Sequence, residues 1–286
     1  MQLGVTFPQI EIGSDIGVVR EYAQAAEELG FDYLLAYDHV LGAGRGTRPD
    51  WTGPYDSSSL FHEPFTLFSW LAAVAPGLSL VTGVIILPQR QTALVAKQAA
   101  QVDLLCGGRF RLGVGLGWND VEYEALGEPF TNRGRRADEQ IALLRQLWTT
   151  EHVTFEGRYH KVTDAGINPL PPQRPIPIWV GGLSDAAIER VGRLGDGWFP
   201  MGKPSERNGA RIERFRQVAE SEGRDPAAIG IDARVEFGTG GEADWQATAE
   251  AWRQLGATHV GVNTMNAGLK GAEHIDAIRR FREAMA

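Results

Sequence analysis

Strand-like and helix-like segments alternate along the whole chain, and this alternation limits the possible folds more than any other feature. The first unit shows the pattern: the apolar run from Leu3 to Phe7 is followed by apolar residues at helical spacing that end at Gly30. The run from Leu78 to Leu87 is apolar throughout, as in strands buried on both faces of a parallel sheet. About eight such units predict an α/β fold, a TIM (β/α)8 barrel formed by one domain, residues 1–286.

The boundaries of the predicted elements follow from apolar spacing, glycine and proline. Strands are expected at 3–7, 33–38, 78–87, 110–114, 176–181, 197–201, 229–237 and 258–263. Helices are expected near 19–29, from 64 onward, and at 92–105, 136–148, 185–193, 207–222, 243–255 and 271–284. A doubly wound sheet usually has fewer strands and a linker between its halves, and no such linker is visible.

Two segments are too long to be ordinary barrel connections. Leu41 to Phe61, after strand 2, is rich in Gly, Pro, Asp and Ser and is expected to form a lid at the barrel mouth. His152 to Pro177, between helix 4 and strand 5, is expected to contain a hairpin that turns at Glu156 and Gly157. We therefore predict a barrel with two insertions.

Composition narrows the classes of partner. The net charge of −8 argues against a nucleic-acid or anionic-membrane binder, which would need a dense basic face. No apolar run approaches the length of a membrane span, and the N-terminus does not resemble a secretion signal, so a cytoplasmic protein with a small-molecule partner is expected. Cys106 is the single cysteine, which excludes intrachain disulfides and thiolate-rich metal sites.

In a TIM barrel the functional residues lie at the C-terminal ends of the strands. The predicted ends carry a single histidine, His39, and a single carboxylate, Asp38. Neither a three-ligand metal site nor a paired-carboxylate hydrolase can be built from that set, so no metal is expected. From the residues alone, a strand-end histidine satisfied by a backbone group is the favoured interpretation of His39. Proton transfer is the alternative, in which Asp38 beside it is expected to favour its protonated form.

Two glycine segments are candidates for phosphate contacts. "GLGW" begins at Gly115, and Trp118 stands where a dinucleotide fingerprint would need a third glycine, so that fingerprint is excluded. A phosphate loop and a simple turn both remain open for this segment. The pair Gly181-Gly182 precedes a helix that begins after Ser184, which favours anion binding, although Asp185 in the first turn opposes it.

Six blocks, in order, resemble the luciferase-like monooxygenase superfamily, and in particular its coenzyme F-420-dependent oxidoreductases. They are "GFDYLLAYDHV", "TGVIILPQR", "AKQAAQVDLLCGGRFRLGVGLGW", "NRGRRADEQIALLRQLW", "PIPIWVGG" and "GDGW". The resemblance implies a flavin ring across the barrel mouth, a non-proline cis peptide between Gly83 and Val84, and a homodimer. The positions that it assigns to the cofactor are Asp38, His39, Gly83, Val84, Gly115, Leu116, Gly117, Trp118, Val180, Gly181, Gly182 and Ser184.

The expected activity is hydride transfer between coenzyme F-420 and a small organic substrate, with His39 as the catalytic residue. An FMN-dependent monooxygenase that uses reduced flavin and oxygen is the alternative within the superfamily. A non-catalytic flavin-binding barrel is the alternative of another class. For Trp118, a core position and a pocket wall both remain open.

Overall fold

The computed structural model describes residues 1–286 and contains eleven strands and nine α-helices. The strands are β1 Gln2–Thr6, β2 Tyr33–Ala36, β3 Ser79–Thr82, β4 Ile85–Ile86, β5 Phe110–Gly115, β6 Val153–Glu156, β7 Lys161–Ala165, β8 Ile178–Gly181, β9 Gly197–Phe199, β10 Gly230–Glu236 and β11 His259–Asn263. The helices are α1 Ile16–Glu28, α2 Pro64–Val74, α3 Thr92–Leu105, α4 Asp120–Ala125, α5 Arg133–Thr149, α6 Asp185–Leu194, α7 Glu206–Ser221, α8 Glu242–Gln254 and α9 Glu273–Ala284.

Parallel strands close into a barrel in the order β1, β2, β3, β5, β8, β9, β10, β11. Because β4 continues β3 along the same edge of β5, the two count as one barrel strand, and the barrel has eight. The pairing of β1 with β11 starts at Gln2 and His259, and the pairing of β3 with β5 closes the ring. The predicted TIM barrel is confirmed.

The interior of the barrel is filled by a small cluster of large side chains, Tyr33, Leu35, Val81, Trp179 and Phe199. Rings of this size fit because glycines face them. A Cβ at Gly4 would overlap the Tyr33 ring, and a Cβ at Gly197 would overlap the Trp179 ring. A second, larger apolar cluster lies between the barrel and its surrounding helices.

The N-terminal end of the barrel is closed by a buried guanidinium. Arg111 lies 4.6 Å from the ring centroids of both Tyr33 and Trp179 and pairs with Asp232 at 3.3 Å. Tyr33 donates a hydrogen bond of 2.5 Å to the same carboxylate. With this end filled, a ligand of the barrel is expected at the opposite end.

The third barrel strand differs from the prediction. A single strand from Leu78 to Leu87 was expected, but the structure interrupts it between β3 and β4. The peptide bond between Gly83 and Val84 is cis, as the family resemblance implied. A Cβ at Gly83 would overlap Leu35, so glycine is required where the strand bulges.

Helix α5 begins at Arg133, three residues before the predicted start at Arg136. Cations in the first turn of a helix oppose its dipole. In the structure Arg133 lies 3.7 Å from the centroid of the Phe130 ring, and Arg136 pairs with Glu128. These contacts offset the unfavourable charge, and the helix extends through both arginines.

Both insertions are present. Strands β6 and β7 form the expected antiparallel hairpin, which turns after Glu156. The segment 41–61 lies at the C-terminal end of the barrel and contains one short 3-10 turn, Arg45–Thr47. None of the helices combines the length and apolar character that a membrane-spanning segment requires.

Candidate active site

His39 lies three residues after β2, at the C-terminal end of the barrel, with a side chain that is 12% exposed. Three aromatic rings surround it, with centroids 4.9 Å away for Tyr55, 4.8 Å for Phe61 and 5.6 Å for Trp118. Tyr55 and Phe61 belong to the segment 41–61, whereas Trp118 follows β5. The inserted segment therefore forms a wall around the candidate catalytic histidine.

The carboxylate beside His39 comes from Glu122 on α4, and not from Asp38 as the sequence suggested. Glu122 Oε1 lies 3.1 Å from His39 Nδ1 and accepts a hydrogen bond of 2.9 Å from the Val40 amide. Its Oε2 accepts a hydrogen bond of 3.2 Å from Gln89. Burial acts to raise the pKa of Glu122, but the hydrogen bonds and the charge of a protonated His39 outweigh it and the pKa is lowered. Glu122 is therefore ionised at neutral pH.

The Asp38 carboxylate binds Arg90 and the Ile86 amide rather than His39. Its Oδ1 accepts a hydrogen bond of 2.8 Å from Arg90, and its Oδ2 accepts one of 3.2 Å from the amide of Ile86 in β4. Arg90 also reaches Glu63 at 3.3 Å. Burial raises the pKa of Asp38, and the neighbouring guanidinium opposes that rise. Asp38 thus fixes the end of β2 to the bulged strand, while its assignment to the cofactor stays a prediction.

Val84 lies at the centre of the predicted glycine rim. A Cβ at Gly115 would lie 2.5 Å from one Val84 methyl, and a Cβ at Gly181 would lie 3.1 Å from the other. Gly117 has a φ of +67°, and its Cβ would lie 2.8 Å from Ile86. The bulged strand alone therefore requires these glycines, so their presence is not by itself evidence for a phosphate.

The second glycine segment leads into α6. Gly182 has a φ of +131°, and its carbonyl accepts a hydrogen bond of 3.0 Å from Trp198. Ser184 caps the helix by accepting a hydrogen bond of 3.3 Å from the Ala187 amide, and its side chain is exposed. Arg211 donates to the Leu183 carbonyl at 3.2 Å and brings positive charge to this segment.

These residues fit a planar cofactor that carries a phosphate. Half-buried Val84, with glycines on two sides, offers an apolar surface to a ring. The first turn of α6 has free N–H groups beside the Ser184 hydroxyl, and helix N-termini of this kind bind phosphates. Asp185 in that turn opposes an anion, and Arg211 lies close enough to offset part of its charge. Of the remaining predicted positions, Leu116 is half-buried between Gly115 and Gly117, whereas Val180 is a core residue of β8.

Trp118 is 41% exposed, which excludes the alternative of a core tryptophan. Its ring packs at 5.6 Å against Trp51 of the inserted segment. A cavity of about 290 Å³ lies nearby, lined by His39 and by both ends of that segment. This volume is close to the lower end of the range for small-molecule sites, so the cavity is suited to a small organic molecule.

Sequence reasoning missed Glu122, Gln89, Arg90 and the aromatic residues Tyr55 and Phe61. One available signal was not used: Asn119 and Glu122 have the spacing of a helix N-cap and its third helical residue, which indicates the start of a helix. The structure has that helix, and Asn119 caps it. Glu122, however, contacts His39 rather than the cap, and no local pattern could predict this contact across 83 residues.

The comparisons with known proteins agree on one family. The model of the luciferase-like monooxygenase family matches residues 3–285. An uncharacterized protein of Mycobacterium tuberculosis is 37% identical over 221 residues, 74% of this chain and 76% of the relative. The FMNH2-dependent dimethylsulfone monooxygenase of Pseudomonas putida is 33% identical over 225 residues, 77% of this chain and 58% of the relative.

A relative named for a different cofactor is about as similar. The F420-dependent hydroxymycolic acid dehydrogenase of Mycobacterium tuberculosis is 31% identical over 242 residues, 81% of this chain and 62% of the relative. Among solved structures, the monooxygenase RslO1 from Streptomyces bottropensis superposes with a TM-score of 0.81 at 21% identity, covering 100% of this chain and 98% of that one. This last match supports the fold alone.

Proposed function

Because this chain belongs to the luciferase-like monooxygenase family, whose members are flavin- or F-420-dependent oxidoreductases and monooxygenases, we propose that it transfers a hydride between coenzyme F-420 and a small organic substrate. The observation that carries the proposal is His39 at the barrel mouth, paired with an ionised, buried Glu122. A hydride leaving or reaching a carbon that bears oxygen must be accompanied by a proton, and this histidine is placed to exchange it.

The chain's own residues have three tasks in this proposal. Val84, the segment 115–117 and the segment 181–184 hold the cofactor, which supplies the hydride chemistry when it is bound. His39 gives or takes the proton at the nitrogen that Glu122 does not hold. Tyr55, Phe61 and Trp118 surround the histidine with apolar rings and reduce its contact with water, which strengthens electrostatic interactions there.

A pair of titrations tests which cofactor the protein binds. Purified protein is titrated with coenzyme F-420 and, separately, with FMN, and binding is followed by fluorescence. Micromolar or tighter binding of F-420, followed by its reduction or oxidation with a small substrate, supports the proposal. Tight binding of FMN with none of F-420 overturns it, and favours an FMN-dependent monooxygenase such as the Pseudomonas putida relative's name describes.

The third possibility, a non-catalytic flavin-binding barrel, predicts binding without turnover for any reductant and acceptor. Screening small alcohols and ketones with F-420, and reduced FMN with oxygen, separates it from both enzymes. Sustained turnover in either screen excludes it.

Two helix caps provide a matched test of where the cofactor phosphate binds. Ser184 caps α6 at the glycine rim, and Ser205 caps α7 in the same way, accepting from the Asn208 amide at 3.3 Å. Replacing either serine by alanine removes a cap worth about 1 kcal/mol. We expect Ser184→Ala to weaken cofactor binding and Ser205→Ala to leave it unchanged. Equal effects on affinity would contradict the proposed phosphate position.

A further inference from the structure

The carboxylate of Glu122 is almost completely buried, with a side chain that is 1% exposed, although it belongs to a short helix at the surface of the barrel mouth. Its Oε1 faces three nitrogens: His39 Nδ1 at 3.1 Å, the Val40 amide at 2.9 Å and the Leu41 amide at 3.4 Å. One oxygen atom therefore holds both the ring of His39 and the first residues of the segment 41–61.

The backbone contacts decide which groups carry protons. An amide N–H can only donate, so Oε1 must accept from Val40, and an ionised carboxylate has no proton to offer. Oε2 in turn accepts from Gln89, so neither oxygen of Glu122 is placed to carry a proton. The atom of His39 that faces this oxygen must then be a donor, and a neutral ring with a proton on Nδ1 has its acceptor lone pair on Nε2.

The opposite side of the ring is free. No hydrogen bond within the protein involves His39 Nε2, and this atom is not among the buried polar atoms that lack a partner, so it is accessible. The second carboxylate oxygen of Glu122 is held by Gln89, which leaves the carboxylate no freedom to rotate without losing a contact.

We propose that Glu122 is a positioning residue that keeps the proton of neutral His39 on Nδ1, presents Nε2 to the barrel mouth as the acceptor, and fixes the start of the segment 41–61 through the same oxygen. The assignment of the tautomer stands without any cofactor or substrate. Its effect on catalysis rests on the proposed function.

The tautomer can be measured directly in the protein without cofactor. Selective 15N labelling of the histidine rings and long-range 1H–15N correlation spectra distinguish protonated from unprotonated ring nitrogens. A His39→Asn protein identifies the His39 signals among the six histidines. In the unmodified protein we expect Nδ1 in the protonated range and Nε2 in the unprotonated range at a pH where the ring is neutral.

Two variants distinguish the effect of the Glu122 acceptor oxygen from the effect of the Glu122 negative charge. Glu122→Ala removes the acceptor, so we expect the ring to shift toward the Nε2–H form that free histidine prefers, with loss of hydrogen-exchange protection at Val40. Glu122→Gln retains an oxygen at the same position, so we expect the Nδ1–H form to persist. Exposed Glu124 on the same helix offers a matched control, and Glu124→Gln should change neither signal.

An Nε2–H ring in the unmodified protein would overturn the proposal, as would an unchanged ring spectrum in folded Glu122→Ala. If the alanine variant does not fold, Glu122→Gln decides the question, because loss of the Nδ1–H form despite a retained oxygen contradicts the argument. In turnover assays we expect Glu122→Ala to lower kcat at least ten-fold with KM changed less, and Glu122→Gln to restore part of it. If the NMR spectra show the expected tautomers but kcat does not change as expected, the proposed function is contradicted and the positioning role is not.

Discussion

At the scale of single residues, His39 and Asp38 are adjacent in sequence but have different surroundings. The imidazole lies among aromatic rings and keeps one nitrogen free, whereas the carboxylate is buried and bound to Arg90 and to the Ile86 amide. Adjacent residues after a strand point in different directions, so proximity in sequence did not indicate proximity of the two functional groups. We therefore expect replacement of His39 to affect mainly turnover, and replacement of Asp38 to affect mainly stability.

Replacement of His39 by alanine should reduce turnover by about 100-fold, the usual scale of lost acid–base assistance, while cofactor affinity stays within a few-fold. The reason is that His39 exchanges a proton and the rim segments hold the cofactor. Steady-state kinetics and a binding titration on the same preparation measure the two effects. A collapse of affinity would make His39 a binding residue, and unchanged turnover would assign the proton to water or to the substrate.

Replacement of Asp38 by asparagine should act mainly on stability. It leaves the Arg90 guanidinium, 14% exposed, with the more exposed Glu63 as its ionic partner, and the loss of a hydrogen bond between charged groups costs about 1.5 to 3 kcal/mol. Urea unfolding measures the loss. Glu189→Gln, which breaks an exposed pair with Arg214, is the control and should cost less than about 1 kcal/mol. A loss of cofactor affinity without loss of stability would instead support the assignment of Asp38 to the cofactor.

At the scale of elements, the hairpin β6–β7 depends on one carboxylate of α5. Glu139 Oε1 accepts hydrogen bonds from the amides of Tyr159 at 2.9 Å and His160 at 2.7 Å, and Oε2 accepts one from the Arg158 amide at 2.8 Å. Burial acts to raise the pKa of Glu139, but these bonds and the contact of 2.8 Å with the His160 ring outweigh it, and the pKa lies below its ordinary value of 4.5. A carboxylate with a lowered pKa stabilises the folded hairpin above pH 4.5 and loses that contribution as the pH falls through the folded-state pKa.

Replacement of Glu139 by glutamine should therefore reduce hydrogen-exchange protection of the hairpin amides about ten-fold near pH 7, because bonds to a charged acceptor are replaced by weaker ones. The difference from the unmodified protein should shrink as the pH is lowered below 4.5. Glu156→Gln is the control, since Glu156 forms only an exposed pair with Lys161. Equal protection in the Glu139→Gln protein at neutral pH would show that the hairpin is held by other contacts.

The elements also show what the sequence could predict. Helix α3 was predicted at its observed limits, Thr92 and Leu105, because apolar residues recur at helical spacing along the whole segment. Helix α4 was missed because it has only six residues, too few for an apolar period to be recognised. The bulge between β3 and β4 has no local signal except Gly83 within an apolar run, and only the family resemblance indicated it.

At the scale of the whole molecule, the barrel was predictable because eight repeated units in one chain leave few alternatives. The candidate site was predictable in position, since the strand ends meet at one face, but not in its contacts. Glu122 and the ring of His39 are brought together by tertiary packing across two barrel connections, and the aromatic wall depends on the conformation of the segment 41–61. Physical patterns in sequence specify strand ends far better than they specify connections.

The outer surface of the barrel carries exposed leucines on helix α3. Helix α3 exposes Leu94 by 53%, Leu104 by 45% and Leu105 by 47%. Leu94 and Leu105 are eleven residues apart, three turns along the helix, and so lie on one face. Single exposed leucines are common on soluble proteins, but two on one helix face are suited to contact a second copy of the chain. We therefore predict that α3 contributes to the homodimer that the family resemblance implied.

Sedimentation velocity at micromolar concentration tests this prediction. The unmodified protein should sediment as a dimer, and a Leu94→Glu/Leu105→Glu protein should sediment as a monomer, because burying two carboxylates in an apolar interface costs more than a dimer contact can supply. Ile16→Glu is the matched control: Ile16 is as exposed as Leu94, at 54%, but begins α1, so its replacement should leave the dimer intact. A monomeric unmodified protein contradicts the dimer, and a dimeric double variant places the interface on another face of the barrel.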